Sequence, residues 1–411
     1  MLRILHAALI CILLPLSVAA QTEVWPGIKT EEADLIPMWI ENFEADGGAS
    51  ISDAQTIEQV VFSDLDFSGF FRITRGRAVG LGKGKNFAVV VSGKLFERAG
   101  EAYFEGKAVE LSSGQFIGGK RYKLGKGLIR KVAHHFSDEV VYWLTGEKGI
   151  AGTQIVYTRK SGDVWELVIC DYDGYRPRVL MRQSTPIISP RWAEQGKAVL
   201  YTSYRYGKPD LFIRYLRESS SRLIASYEGL NYSVDWSEKR GALLVTLSKE
   251  GNPEIYIMGK DGHIERRLTH NHSIDCGPSW SPTGREALFT SDRSGTPQVY
   301  VTEADGSNVR RLTFYGSYNA SPDWSPKGDL IVFVSRIDGV FQLCTIRPDG
   351  TDQRLLTEGW VSQEDPRWAP DGRHVVFTER RRSGPVISIV DMATGGRRIL
   401  TQGETPDWSF R

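Results

Sequence analysis

Six tryptophans, Trp192, Trp236, Trp280, Trp324, Trp368 and Trp408, are separated by 44, 44, 44, 44 and 40 residues. Spacing this regular marks one supersecondary unit repeated along the chain. The units share more than the tryptophan. Pro278-Ser279-Trp280-Ser281-Pro282 opens one of them, Ala287-Leu288-Phe289-Thr290 and Gln298-Val299-Tyr300-Val301 follow, and Asp305-Gly306 precedes a closing Arg311-Leu312-Thr313. These are four short strands and their turns. Asp261-Gly262, Asp305-Gly306 and Asp349-Gly350 are hairpin signals, because glycine accepts the positive φ of a tight turn. A four-strand unit of this length is the signature of a propeller blade.

The two ends of the array set the blade count. Trp408 opens a sixth unit, yet three residues later the sequence ends at Arg411. Residues 153–180 carry the missing strands: Ile155-Val156-Tyr157-Thr158 matches residues 287–290, Glu166-Leu167-Val168-Ile169 matches 298–301, and Asp173-Gly174 matches Asp305-Gly306. The expectation is a six-bladed β-propeller over residues 151–411. Residues 153–180 then pair with the C-terminal strand near Trp408, and closure removes the free sheet edges.

In such a blade the loop between the second and third strands lies on the same face as the crossover to the next blade. The crossovers vary in chemistry: His270, His272, Ile274 and Asp275 lie in one, Tyr318 and Asn319 in another, and Trp360 in a third. Tyr204, Arg205, Thr290, Ser291, Asp292, Arg293 and Arg336 lie at or beside the second-to-third loops. Aromatic and arginine residues gathered on variable loops of a rigid scaffold suit a protein-binding face.

Residues 21–150 lack the 44-residue period and read as a small α+β domain. A strand-like run at 36–43 precedes a helix that Ser50 or Ser52 can cap, with Ile57, Val60, Val61 and Leu65 on one face. Residues 87–91, 102–110 and 115–117 read as strands, and 128–144 as a second helix ended by Gly146. Eleven acids and one lysine in 21–70 face fourteen bases and four acids in 71–131. Mutual neutralisation across the sheet is the expected result, and a charged docking face the alternative.

Residues 1–20 read as a secretory signal peptide: Arg3, an apolar run through Leu14, then Val18-Ala19-Ala20. The run is too short for a membrane span, and Cys11 sits inside it without a lipidation context. Cleavage leaves 50 basic and 50 acidic residues, a balance that argues against nucleic-acid binding. Three cysteines remain, Cys170, Cys276 and Cys344, at spacings that fit neither a disulfide framework nor a zinc pattern.

Catalytic signatures are missing from the sequence. No G-x-S-x-G elbow occurs. His270 and His272 with Asp275 lack a clear third ligand, and adjacent His134 and His135 point to different faces of a helix, read here as solvated. Residues 80–85 lack the Walker spacing and read as a flexible hairpin. Asp171-Tyr172-Asp173-Gly174 begins like a calcium loop but lacks the later ligands. No cofactor and no metal are expected. Acids precede the tryptophans at Asp235, Asp323 and Asp407, an incomplete carboxylate ring.

Phe136-Ser137-Asp138-Glu139-Val140, Leu144-Thr145-Gly146-Glu147-Lys148-Gly149, Asp171-Tyr172-Asp173-Gly174-Tyr175 and Ile188-Ser189-Pro190-Arg191-Trp192 together resemble the TolB family of the Tol-Pal system. The resemblance covers the chain beyond residue 20. It implies a non-enzymatic periplasmic adaptor, a monomer without direct membrane insertion, that links the outer-membrane lipoprotein Pal to TolA of the inner membrane during cell division. By the same resemblance Thr290 and Ser291 lie beside the Pal-binding mouth, and Leu230 to Ser233 occupy a crossover loop. The N-terminal arm, Thr22, Glu23, Val24 and Trp25, corresponds to the TolA-binding segment, although Pro26 removes a ladder donor and argues against strand addition. The alternative reading is a propeller that binds or processes a small glycan or peptide in its central channel.

Overall fold

The computed structural model describes residues 25–26, 35–76 and 87–410. The apolar segment 1–20, arm residues Thr22, Glu23 and Val24, and the glycine-rich stretch 80–85 lie outside the described residues.

β1 (Trp25–Pro26) comes first, followed by β2 (Ile36–Glu41), β3 (Glu44–Asp46), α1 (Ile51–Phe67), β4 (Phe71–Gly76), β5 (Val89–Arg98), β6 (Glu101–Glu110), β7 (Phe116–Lys123) and α2 (Ile129–Thr145). The sheet runs β4-β2-β5-β6-β7, with β3 also on β5. β2 is parallel to both neighbours, and the β5-β6-β7 meander is antiparallel. Ser50 caps α1 by accepting the Asp53 amide at 3.2 Å. Gly146 ends α2 at φ 73°, a left-handed conformation that glycine adopts without Cβ strain. The expected stripe Ile57, Val60, Val61 and Leu65 meets Val132, Ala133, Phe136 and Val140 of α2 over the sheet's Met38, Ile40, Val91 and Phe104. The sequence reading missed β4 and cut β5 short. Both strands interleave charged residues with apolar ones, and Arg75 of β4 reaches Gln59 and Phe62 of α1, so hydrophobicity alone underreports them. Neutralisation between the two charge blocks includes the Lys94–Asp46 pair at 2.8 Å, while Lys123–Glu101 and Arg121–Glu105 pair within the basic block.

The remainder is a ring of six sheets. One is built from β8 (Gln154–Ser161), β9 (Val164–Asp171) and β10 (Arg178–Gln183), with Glu404–Trp408 as its innermost strand. That strand pairs antiparallel with β8, Trp408 opposite Ile155 and Asp407 opposite Val156. The other five sheets are each built on four consecutive strands with the tryptophan-bearing one innermost, and β1 joins the outer edge of one of them.

Each repeated tryptophan wedges one sheet against the preceding one. Trp192 packs with Leu167 and Ile169, Trp324 with Leu288, Trp368 with Val332, and Trp408 with Val376 and Ile389. A large aromatic at a fixed register position therefore fills each gap between blades. Every inner strand also carries a bulge. Ser189, Ser233, Ser321, Asp365 and Thr405 lie at φ 50–53° and Gly277 at φ 63°, where the ladder register shifts. The extra residue turns the strand and sets up a brace two residues on. Asp235, Asp323 and Asp407 accept the amides of Trp280, Trp368 and Trp192 in the next blade at 2.7, 2.9 and 2.7 Å.

Two expectations need correction. Leu230 to Ser233 is not a crossover loop, since the inner strand already starts at Asn231 and Ser233 is its bulge. Pro26 does not prevent pairing: β1 runs parallel to Arg354–Leu355 at the outer edge of a blade, a place where a missing donor is tolerated. Cys170 and Cys344 are buried strand residues, Cys276 is half-buried, and all three are free thiols. Among the described residues no helix is long and apolar enough to cross a membrane.

Candidate functional site

The ring has two unlike ends. Inner strands begin at the crossover end and finish at the end facing α1 and α2.

At the crossover end apolar side chains stand in water. Trp360 is 93% exposed, and Tyr206, Phe314, Tyr315 and Ile274 are also exposed. Beside Trp360 lies a groove of about 280 Å³ lined by Glu358, Val361, Arg381, Arg397 and Ile399. His270, His272, Arg205 and Arg336 are exposed on the same end, with Tyr204, Leu230, Asp292, Arg293 and Tyr318 half-buried among them. Arg205 lies over Phe212 at 4.8 Å and Tyr318 meets Phe341 edge-on at 5.4 Å, so both side chains are held before any partner arrives.

Four expected site residues are interior. Asp275 is fully buried and accepts from Arg293 Nη2 and Asn271 Nδ2, both at 2.7 Å. Ser291 accepts from Arg293 Nε at 2.9 Å, and Thr290 Oγ1 accepts the Ser321 amide at 3.2 Å. Buried Asn319 donates to Gln298 Oε1 at 2.8 Å. Asp292 accepts the Ile274 amide at 2.8 Å. These groups shape the loops from within. Burial of Asp275 also keeps it from converging with exposed His270 and His272 as a metal cluster.

The other end is covered. A cavity of about 470 Å³ at this mouth of the channel is lined by Asp235, Asp323, Asp407, Trp236, Trp324 and Lys148. The register position before each tryptophan holds Arg191, Asp235, Ser279, Asp323, Arg367 and Asp407 in turn, so acids alternate with neutral or basic residues. Arg367 Nη1 pairs with Asp323 Oδ1 at 3.0 Å. Burial pushes Asp235 and Asp407 up to about 6, with Arg191 opposing the rise. Asp365 is likewise raised to about 6, again chiefly by burial, and burial raises Asp323 well above its ordinary value.

The N-terminal region docks here through the end of α1. Phe67 stacks on His374 at 4.6 Å and lies 5.4 Å from Tyr172. His374 Nε2 lies 3.1 Å from the Phe67 carbonyl, and Arg373 donates to the Gly69 carbonyl at 2.9 Å. Asp138 of α2 accepts the Ala151 and Gly152 amides at 2.8 and 3.0 Å, which fixes the start of the ring against the helix. His134 does not lie on a solvated face: it is buried, donating from Nδ1 to Asp64 at 2.9 Å, and Asp64 also accepts from Tyr172 Oη at 2.6 Å. Sequence reasoning missed this cluster because its members lie far apart in the chain. Asp64 at the polar end of an apolar helix stripe was the available signal. Among the described residues, His134, Asp171 and Asp173 form a group able to share a metal ion.

The family model described as the TolB beta propeller domain matches residues 141–410. The chain belongs to the TolB propeller family. The Tol-Pal system protein TolB of Legionella pneumophila (strain Corby) is 32% identical over 231 residues, 52% of either chain. That of Xanthomonas campestris pv. campestris (strain B100) is 28% identical over 248 residues, 55% of either. The chain thus spans about half the length of the curated relatives it matches. The crystal structure of TolB from Acinetobacter baumannii superposes with a TM-score of 0.80 at 25% identity, over 95% of this chain and 99% of that one. The similarity therefore extends to the N-terminal region and to its seat on the ring.

Proposed function

We propose that this protein is a non-enzymatic component of the Tol-Pal system, exported to the periplasm. In this reading its ring binds the peptidoglycan-associated lipoprotein Pal at the crossover end, and its N-terminal region addresses TolA of the inner membrane. The pairing serves outer-membrane integrity and invagination during cell division. Membership of the TolB propeller family supports the system, and the relatives' names carry the same assignment. The observation that carries the choice of face is Trp360, 93% exposed beside a groove and among exposed aromatics and arginines, the residue types that dominate protein interfaces.

Calorimetric titration with the soluble peptidoglycan-binding domain of Pal tests this reading. Saturable one-to-one binding that Trp360→Ala weakens supports it. No binding up to about a millimolar, where even weak specific pairs register, overturns it. Charge reversal at Asp292 or Arg293 is a poorer test, since both groups hold the loop conformation.

The acid-lined cavity at the covered mouth favours one second reading, capture of a small basic ligand in the channel. Competition by such a ligand, abolished by Asp235→Asn, would separate it from the adaptor reading.

A further inference from the structure

We propose that His134, Asp171 and Asp173 form a divalent-metal site joining α2 to the blade that closes the ring, with Zn²⁺ the ion its donors fit best. One ligand atom from each of the three residues lies within 4.8 Å of the others. Ligands sharing a tetrahedral ion at ~2.0–2.2 Å stand roughly 3–4 Å apart, so small rotamer adjustments bring the three together.

The histidine is prepared for this role. Asp64 is fixed by Tyr172 Oη at 2.6 Å and accepts His134 Nδ1–H at 2.9 Å. A carboxylate partner on Nδ1 places the proton there and leaves the Nε2 lone pair free, the orientation that metal-binding histidines acquire from an outer carboxylate. His134 is only 4% exposed, and among the described residues its Nε2 has no hydrogen-bond partner. A buried polar atom left unmatched is rare enough to require an explanation, and an ion supplies one.

The carboxylates come from the other side of the junction. Asp171 ends β9 and Asp173 lies in the turn that follows, with Tyr172 between them committed to Asp64. One imidazole and two carboxylates are a borderline donor set suited to zinc, with a fourth position left for water. A competitor is present. Arg130 Nη2 pairs with Asp173 Oδ2, and Asp173 Oδ1 accepts the Tyr175 amide at 3.0 Å. The ion must take Asp173 from this guanidinium, so removing the guanidinium should strengthen binding.

The test is Zn²⁺ titration of the metal-free protein against a chelating dye, together with thermal unfolding with and without the ion. One ion per chain is expected. Affinity should fall about 10–100-fold in Asp171→Asn, and comparably in Asp64→Asn through loss of the outer carboxylate. It should rise in Arg130→Gln and stay unchanged in His270→Gln/His272→Gln. Zinc should raise the unfolding midpoint of the parent and not of Asp171→Asn, a half-exposed site whose substitution leaves the buried pair intact. No saturable binding below about 0.1 mM overturns the proposal, as does binding indifferent to Asp171→Asn or lost in the His270/His272 variant.

Discussion

The crossover end of the ring and the end under α1 and α2 are built from the same six repeats, yet they have opposite characters. At the crossover end polar groups such as Asp275, Asn319 and Ser291 are turned inward to hold loops, while Trp360, Tyr206 and Phe314 are left in solvent. At the covered end Phe67 is inserted against Tyr172 and His374, and carboxylates are used on backbone amides and arginines, as Asp138 on Ala151 and Asp391 on Arg373. Apolar surface left exposed on a rigid frame marks a place where something else binds. The most exposed aromatics of the ring, Trp360, Tyr206, Phe314 and Tyr315, gather on loops at the crossover end, while Tyr175 and Phe410 toward the other end are less exposed, which separates the part of the repeat that builds the ring from the part free to recognise.

The sharpest way to break this comparison is to break the frame that both ends share. Ending the chain at residue 403 removes the strand Glu404–Trp408 and leaves β8 as an open edge. The expected result is loss of the single cooperative unfolding transition, read by calorimetry, together with aggregation.

A narrower change addresses the covered end. Phe67→Ala should cost about 3 kcal/mol, the usual price for deleting a packed aromatic, read as a lowered thermal midpoint. Binding at the crossover end should be little altered. The converse change, Trp360→Ala, should leave stability within about 0.5 kcal/mol while weakening Pal by about 2 kcal/mol, a central-aromatic effect. If Trp360→Ala destabilises the fold as much as Phe67→Ala does, the distinction between the ends fails.

The smallest effect concerns pH. Asp235, Asp365 and Asp407 have an ordinary value of 3.8 and are raised to about 6, chiefly by burial. A carboxyl raised in the folded state stabilises most below its unfolded value and loses that contribution as pH rises through about 6. Unfolding midpoints measured from pH 4 to 7 should carry a component that declines as pH rises. Asp407→Asn, which keeps an acceptor for the Trp192 amide, should flatten its share.

Much of the ring was legible in the sequence because its signals are local and repeated. A tryptophan every 44 residues fixes the blade, and the incomplete sixth unit points back to residues 153–180. The bulges were not read, although Ser189, Ser321, Asp365 and Thr405 each precede a proline. A positive φ at a non-glycine residue leaves little mark on composition. The candidate face was legible as a set of loops but not as a surface. Asp275 and Trp360 look equally available in the sequence, and burial separates them only after Arg293 and Asn271 fold onto Asp275. The junction was least legible, since Asp64, His134, Tyr172 and His374 meet only through tertiary packing.

Amide hydrogen exchange, with and without saturating soluble Pal domain, tests the central claim most directly. The account predicts slowed exchange in the crossover loops around residues 270–275, 314–319 and 358–364, with the turns beneath α1 and α2 unchanged. Slowed exchange confined to residues 64–70, 171–176 and 369–374, with the crossover loops unaffected, would contradict it.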